Sequence, residues 1–205
     1  MSKQVSLDPA RTAVLCMDYQ SFIVSTYAGD GGEELLARAA GVLKRARESG
    51  MTVIYVRVGF RPNMPEVSPR NMMFDSIRSS AERRQRFQGE SGEIHPAVAP
   101  EADDIVVTKH RVNAFAGTDL EMILRAKDVD TLVMFGIATS GVVLSTLLDA
   151  SDADYCLFVI EDCCADTDEQ VHACLFGKLF PRRAVILSAD EFHAASGPTR
   201  ASAEE

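Results

Sequence analysis

The sequence predicts an α/β protein with a doubly wound, mostly parallel sheet of five to six strands and helices on both faces. Three observations predict this fold. Short apolar runs rich in β-branched residues alternate with segments of helical period along the chain. The first of these runs, residues 13–18, is almost continuously apolar, which is typical of a strand buried on both faces. The length of 205 residues, with 46% hydrophobic and 25% charged residues, suits one globular domain, which we expect to span residues 1–205.

The elements follow from the same alternation. Strands are predicted at residues 13–18, 52–58, 104–109, 131–138, 155–161 and 184–187. Helices are predicted at residues 33–50, 118–127, 140–150 and 168–180. The helix at 33–50 has its apolar residues at helical spacing, begins with acidic residues and is closed by Gly50. Repeated strand–helix–strand units of this kind build a parallel sheet.

Residues 59–92 form the longest connection and carry no readable motif. The stretch is polar and rich in arginine, with three prolines early (Pro62, Pro65 and Pro69) and a short helix predicted around residues 77–87. Long connections in compact domains are often functional, so this one is interpreted as a lid or a subunit contact, with a disordered surface excursion as the alternative. The ends, residues 1–10 and 198–205, are expected to be flexible.

Charge and cysteine content exclude several classes of function. The formal net charge of −9 disfavours a nucleic acid or an anionic membrane as partner. The five cysteines form no CxxC pair, so neither a structural zinc site nor a disulfide framework is indicated. The N-terminal residues have no apolar core typical of a secretory signal, and no apolar run reaches the roughly 18 residues of a spanning helix. We therefore expect a cytoplasmic protein.

Two charged residues end predicted strands. Asp18 ends the first strand and Lys109 ends the third. Ligands of open α/β sheets bind beyond the carboxyl ends of strands, where the strand order reverses. If the order is second, first, third, fourth, fifth, Asp18 and Lys109 flank one crevice and interact there. Taken singly, a strand-end aspartate more often caps a turn and a strand-end lysine more often lies in solvent.

The turn after the fourth strand is a candidate anion site. Gly136 to Val142 reads GIATSGV, so that a helix starts almost directly after a buried strand. Such a start leaves backbone N–H groups unpaired and suits a carboxylate or a developing oxyanion. Thr139 and Ser140 are equally consistent with ordinary helix N-caps.

Three stretches in series resemble the isochorismatase-like superfamily of hydrolases. They are LCMDYQ at 15–20, KHRVNAFAGTDL at 109–120 and GIATSGVVLST at 136–146, followed by DA at 149–150 and EDCCAD at 161–166. The resemblance implies a Rossmann-like, three-layer α/β/α fold and a homo-oligomer, either a dimer or a tetramer. It also implies that Asp18 transfers protons beside the cationic Lys109.

The same resemblance assigns roles near the fourth strand. The Ile137–Ala138 peptide bond matches the family's non-proline cis peptide, and the N–H groups of Ala138 and Val142 are expected to face an oxyanion. The family's nucleophilic cysteine falls at Val142, which cannot form a thioester. The residues expected to bind substrate are Gln20, Phe22, Arg111, Thr139 and Ser140.

Metal and cofactor are not expected. Some members of the superfamily bind a cation through an aspartate and histidines near the second strand, but residues 52–71 contain no histidine. The function predicted is hydrolysis of a small molecule, with an anionic one among the options, by Asp18 acid–base chemistry without a covalent intermediate. The alternative is a catalytically silent member that binds a ligand or a partner protein. We expect Asp18→Asn to abolish hydrolysis with little change in melting temperature.

Overall fold

The computed structural model describes residues 6–196, and within them six strands form one sheet. The strands are β1 (Thr12–Met17), β2 (Thr52–Val58), β3 (Ile105–Lys109), β4 (Thr131–Gly136), β5 (Cys156–Ile160) and β6 (Val185–Leu187). Every strand pair is parallel. The predicted fold class is confirmed, and the strand bounds differ from the predicted ones by at most two residues.

The strand order is β3-β2-β1-β4-β5-β6, which corrects the order assumed from the sequence. The order reverses between β1 and β4, not between the first and third strands. In register, Met17 of β1 lies opposite Val56 of β2 and Gly136 of β4, so these three strands end at a similar level. The crevice expected at a reversal of strand order is therefore flanked by the ends of β1 and β4.

Eight α-helices surround the sheet in the part of the chain that the structure describes. They are α1 (Ser21–Tyr27), α2 (Gly32–Glu48), α3 (Met72–Arg78), α4 (Ala81–Arg86), α5 (Leu120–Ala126), α6 (Leu144–Asp152), α7 (Glu169–Cys174) and α8 (Ala189–Ala195). Two π-helical turns, Thr139–Val143 and Leu175–Leu179, adjoin α6 and α7. Helices α1 and α8 were not predicted, and the short helix expected around residues 77–87 is the pair α3 and α4. None of the helices between residues 6 and 196 has the length and apolar composition needed to cross a bilayer.

Helix α2 has the buried face that its sequence pattern predicts, and its bounds lie within two residues of the predicted ones. Its apolar residues are buried against the sheet, while Glu33 and Glu34 begin the helix and Arg45 and Arg47 end it, as the helix dipole favours. Gly50 follows with φ of 79°, a conformation that glycine adopts without steric cost.

The core is one cluster of buried side chains on both sides of β1 and β4. Every residue of β1 is buried, as the continuous apolar run predicts. Leu7, inside the N-terminal stretch expected to be flexible, is buried as well. Residues 1–5 and the C-terminal stretch 198–205 lie outside the described residues.

Candidate functional site

A cavity of about 160 Å³ lies beyond the carboxyl ends of β1 and β4. Asp18, Lys109 and Val142 contribute to its wall, as do Ile137 and Ala138 after β4. Apolar side chains form most of the remainder: Phe22, Ile23, Tyr27, Val58, Met73, Phe74, Ile77, Phe87 and Val112. The cavity thus combines one carboxylate and one ammonium group with an otherwise largely apolar surface.

Asp18 and Lys109 form a buried ion pair in this wall. The Asp18 Oδ2 atom lies 2.8 Å from the Lys109 Nζ atom, and their side chains are only 8% and 2% exposed. The strand between them explains how they meet. Because β2 separates β1 from β3, their backbones lie about two strand spacings apart, roughly 10 Å, and the long lysine side chain spans the gap past Val58. The predicted pairing is confirmed, although the strand order behind it was wrong.

Lys109 has a second hydrogen-bond partner, whereas the second carboxyl oxygen of Asp18 has none among the described residues. Lys109 Nζ also donates a hydrogen bond to the backbone carbonyl of Arg111, at 3.1 Å. Among the described residues, Asp18 Oδ1 is buried and has no hydrogen-bond partner. A buried carboxylate oxygen without a donor is costly, so this atom is the one free to interact with a bound molecule or to carry a proton.

Burial raises the pKa of the Asp18 carboxyl above its ordinary value, and the charge of Lys109 opposes this rise without overcoming it. Asp18 also lies in the left-handed region, with φ of 58°, and its N–H donates to the carbonyl of Val56. Aspartate tolerates this conformation better than most residues. The backbone therefore turns sharply after β1 and keeps the carboxyl group under the cavity.

The turn after β4 approaches the sheet closely. The Ile137–Ala138 peptide bond is cis, as the resemblance implied. A Cβ atom at Gly136 would lie 2.8 Å from the carbonyl oxygen of Met17, so only glycine fits beside β1 here. Ala138 borders the cavity, and among residues 6–196 no acceptor is found for its backbone N–H. Val142 is 2% exposed and its side chain contributes to the same wall.

Residues of the 59–92 segment cover the cavity. Met73, Phe74 and Ile77 of α3 and Phe87 after α4 contribute to its lining. Phe87 packs edge-on against Phe22 of α1, with ring centroids 4.7 Å apart. Within residues 59–92 the chain is helical or turned over much of its length, so its interpretation as a cover fits better than a disordered excursion. Sequence reasoning missed these residues because their segment has no clear apolar period.

Of the five residues predicted to bind substrate, only Phe22 borders the cavity. Gln20 is fully buried, and its amide group binds the backbone of Val58 and of Gly92. It joins the end of β2 to the end of the 59–92 segment and so holds the cover in place. Gln20 therefore has a structural role, and its predicted contact with substrate stays a prediction.

The Arg111 and Thr139 side chains are also engaged elsewhere. The Arg111 guanidinium donates to the carbonyls of His110 and Glu66. The Thr139 hydroxyl lies 2.9 Å from His172 Nδ1 and within 3.3 Å of the Ala165 carbonyl. Ser140 is exposed. These three residues do not border the cavity, and their predicted contact with substrate stays a prediction.

Cysteine and metal chemistry find no support at this position. All five cysteines lie within the described residues and none of them lines the cavity; Cys16, Cys163 and Cys164 are buried elsewhere. Burial raises the pKa of the Cys163 thiol well above its ordinary value, which disfavours a reactive thiolate. Across residues 6–196, no group of three or more His, Cys, Asp or Glu side chains is arranged to hold a metal ion.

Comparison with known proteins identifies the family. The isochorismatase domain matches residues 12–191. The chain is 30% identical over 189 residues to the uncharacterized isochorismatase family protein YecD of Escherichia coli O157:H7, covering 91% of this chain and 97% of that protein. It is 31% identical over 180 residues to the ureidoacrylate amidohydrolase RutB of Methylobacterium radiotolerans, covering 77% of this chain and 68% of that enzyme.

Comparison with solved structures identifies the same family. An isochorismatase family protein from Burkholderia thailandensis superimposes with a TM-score of 0.80 at 25% identity, covering 96% of this chain and all of that one. The domain match covers most of the chain, and the related proteins include named amidohydrolases. On these grounds the chain belongs to the isochorismatase family of hydrolases.

Proposed function

We propose that this protein hydrolyses a small molecule by acid–base chemistry centred on Asp18, without a covalent thioester intermediate. The observation that carries the proposal is the carboxyl group of Asp18, which is buried at the cavity beside Lys109, has a raised pKa and keeps one oxygen without a partner. Because a raised pKa brings a carboxyl group closer to the pH at which enzymes work, it suits the group to act as a general acid.

Asp18 and Lys109 divide the work in this mechanism. Protonated Asp18 gives its proton to the substrate, for instance to the terminal carbon of an enol ether, and becomes a carboxylate. The ammonium group of Lys109, 2.8 Å away, stabilises the carboxylate that forms. Water then adds its oxygen to the substrate cation and its proton returns to Asp18. The adduct collapses to a carbonyl compound and an alcohol, so the enzyme ends as it began.

The backbone at the turn after β4 supplies a second polar contact. Ala138 borders the cavity and its N–H has no acceptor among residues 6–196, so this N–H is available to bind an oxygen that gains negative charge. Val142, on the same wall, presents methyl groups and no nucleophile. These two features favour direct attack by water over acyl transfer to the protein.

The cavity bounds the substrate in size. A cavity of about 150 Å³ lined by apolar side chains holds a molecule the size of benzene, and this one has a volume of about 160 Å³. The reacting part of the substrate is therefore comparable to one six-membered ring. The mechanism accepts enol ethers most directly. Because two relatives are named as amidohydrolases, small amides are a second class of candidate substrate.

The proposal is tested by turnover of phenyl vinyl ether and of a panel of small unsaturated amides, with phenol or ammonia release as the readout. Asp18→Asn is expected to abolish release, while the control Asp103→Asn, at an exposed aspartate that does not border the cavity, keeps wild-type rates. Alkylation of the exposed Cys156 and Cys174 is expected to leave the rates unchanged. Full activity of Asp18→Asn, or loss of activity on alkylation, would contradict the mechanism.

A ligand-binding protein without turnover is the second candidate. The side chain of Val142 occupies a cavity wall and the two charged side chains of the cavity are paired with each other, which favours binding over chemistry. Saturable binding of the same probes with no release of product by the wild type would favour this candidate.

A further inference from the structure

A second cleft lies beside the cavity and carries an unusual concentration of positive charge. Its volume is about 470 Å³, and its lining includes Arg61, Arg78 and Arg84 but no aspartate or glutamate. The chain as a whole has a formal net charge of −9, so three guanidinium groups around one cleft run against the overall composition. Such a cleft concentrates anions.

Two of the three guanidinium groups form no salt bridge among the described residues, although the charge of Arg61 helps to lower the pKa of the nearby Glu66. Arg78 is paired with Asp75, whose Oδ1 atom lies 2.5 Å from Nη2. Arg84 donates to the backbone carbonyl of Arg78, and Arg61 Nη1 lies 3.3 Å from His110 Nε2. Across the described part of the chain, neither Arg61 nor Arg84 takes part in a salt bridge. Both therefore keep donors for a bound anion.

The cleft and the cavity share a wall. The ring of Phe87 lines both spaces, and it packs edge-on against Phe60, which lines the cleft, with centroids 5.2 Å apart. Phe87 is thus shared by the two linings, and a ligand with its reacting end beside Asp18 would reach the arginines past this ring.

We propose that the arginine cleft is an anion subsite that binds the carboxylate or phosphate group of the molecule hydrolysed at Asp18. This inference rests on the proposed function and adds the substrate class, a small acid with an unsaturated reacting end. Guanidinium groups bind carboxylate and phosphate oxygens through paired N–H donors, which favours these two groups over a simple halide.

The test compares probes that differ in charge but share a ring and a chain length: 3-phenylpropionate, 3-phenylpropyl phosphate and the neutral 3-phenylpropan-1-ol. Affinities are measured by titration calorimetry at low salt. The wild type is expected to bind at least one anionic probe roughly tenfold more tightly than the alcohol, because hydrogen bonds to charged groups are the stronger kind. The tighter of the two anions identifies the group that the cleft prefers.

Matched variants locate the effect. Arg61→Gln/Arg84→Gln is expected to remove the preference for the anion. The control Arg70→Gln/Arg83→Gln removes two exposed arginines of the same segment that do not line the cleft, and it is expected to keep the preference. Far-ultraviolet circular dichroism of both variants confirms that they are folded.

Three results would overturn the inference: equal affinity of the wild type for charged and neutral probes, no binding of either anion, or an undiminished preference in Arg61→Gln/Arg84→Gln. The last result would assign the anion to Lys109 in the cavity. Failure of the proposed function is read separately, since it appears as turnover that survives Asp18→Asn and does not alter these affinities.

Discussion

Removing either member of the Asp18–Lys109 pair is expected to destabilise the protein, and removing both is not. At 2.8 Å and an effective dielectric constant near 20, the attraction between the two charges is roughly 6 kcal/mol. Desolvation of two buried ions costs several kcal/mol each, so the intact pair adds little net stability. A single substitution leaves the other charge buried without its partner, and such losses are typically about 3–5 kcal/mol.

Three variants separate these effects: Asp18→Asn, Lys109→Met and the double substitution. Asparagine is chosen because it tolerates the φ of 58° at this position. We expect Asp18→Asn to lose about 3 kcal/mol, the low end of the range, because Lys109 keeps its hydrogen bond to Arg111. The double variant is expected to lie within about 1 kcal/mol of the wild type, since methionine fills the lysine volume without a charge.

The free energy of unfolding is measured by urea titration at neutral pH, with circular dichroism as the signal. Since each single variant loses about 3 kcal/mol or more and the double variant about 1 kcal/mol at most, the cycle is expected to give a coupling energy of about 5 kcal/mol. Single variants that each lose less than about 1 kcal/mol, with a coupling energy inside the additivity error of about 0.5 kcal/mol, would refute the reasoning. The expectation from sequence alone, that Asp18→Asn leaves the melting temperature nearly unchanged, is revised by the burial of both groups.

Three further predictions follow from the same site. The kcat/KM of the hydrolysis is expected to fall as pH rises through the raised pKa of Asp18. Because the ammonium group of Lys109 lowers that pKa, Lys109→Met is expected to move the fall to higher pH in any activity that remains. A pH profile that does not move would contradict the assignment of Asp18 as the acid. Val142→Cys is expected to create a thiol that iodoacetamide labels at the cavity and that a bound probe protects, as read by peptide mass spectrometry; an unreactive thiol would mean that ligands do not reach Val142. Gln20→Leu is expected to lower the free energy of unfolding in urea by about 2–4 kcal/mol, since three buried hydrogen bonds disappear. The control Gln85→Leu, at an exposed position, is expected to change it by less than about 0.5 kcal/mol. Equal effects of the two substitutions would argue against the bridging role of Gln20.

The sheet could be predicted from the sequence because its strands are short, apolar and separated by helices. The continuous apolar run of β1 and the alternation along the chain identify a parallel sheet without knowledge of any contact. The order of the strands could not be predicted in this way, because nothing in the sequence of residues 104–109 indicates which strand β3 pairs with. The structure places β3 beside β2, and the crevice moves to the boundary of β1 and β4.

The two charged residues of the site could be predicted because each lies at the carboxyl end of a strand of the parallel sheet. The structural role of Gln20 was not predicted, for the opposite reason. Its position two residues after Asp18 suggests a substrate contact, but its partners Val58 and Gly92 are 38 and 72 residues away in the chain. Long-range backbone hydrogen bonds of this kind leave no pattern in the sequence. The length of residues 59–92 indicated a lid, but its cavity-lining side chains, Phe87 above all, were not identified because helices α3 and α4 are too short to show an apolar period.

The central claim is that burial outweighs the neighbouring ammonium group and raises the pKa of the Asp18 carboxyl above its ordinary value. A folded-state pKa above the unfolded value makes the protein most stable below the unfolded pKa, and the contribution is lost as pH rises through the folded pKa.

The most direct test is a titration of the Asp18 carboxyl by carbon-13 NMR, with carboxyl-labelled aspartate and the Asp18→Asn variant to assign the resonance. The expected result is a pKa clearly above the ordinary value of about 3.9 in the wild type and higher still in Lys109→Met. A wild-type pKa at or below that value would contradict the account, because Asp18 would then carry no proton to give.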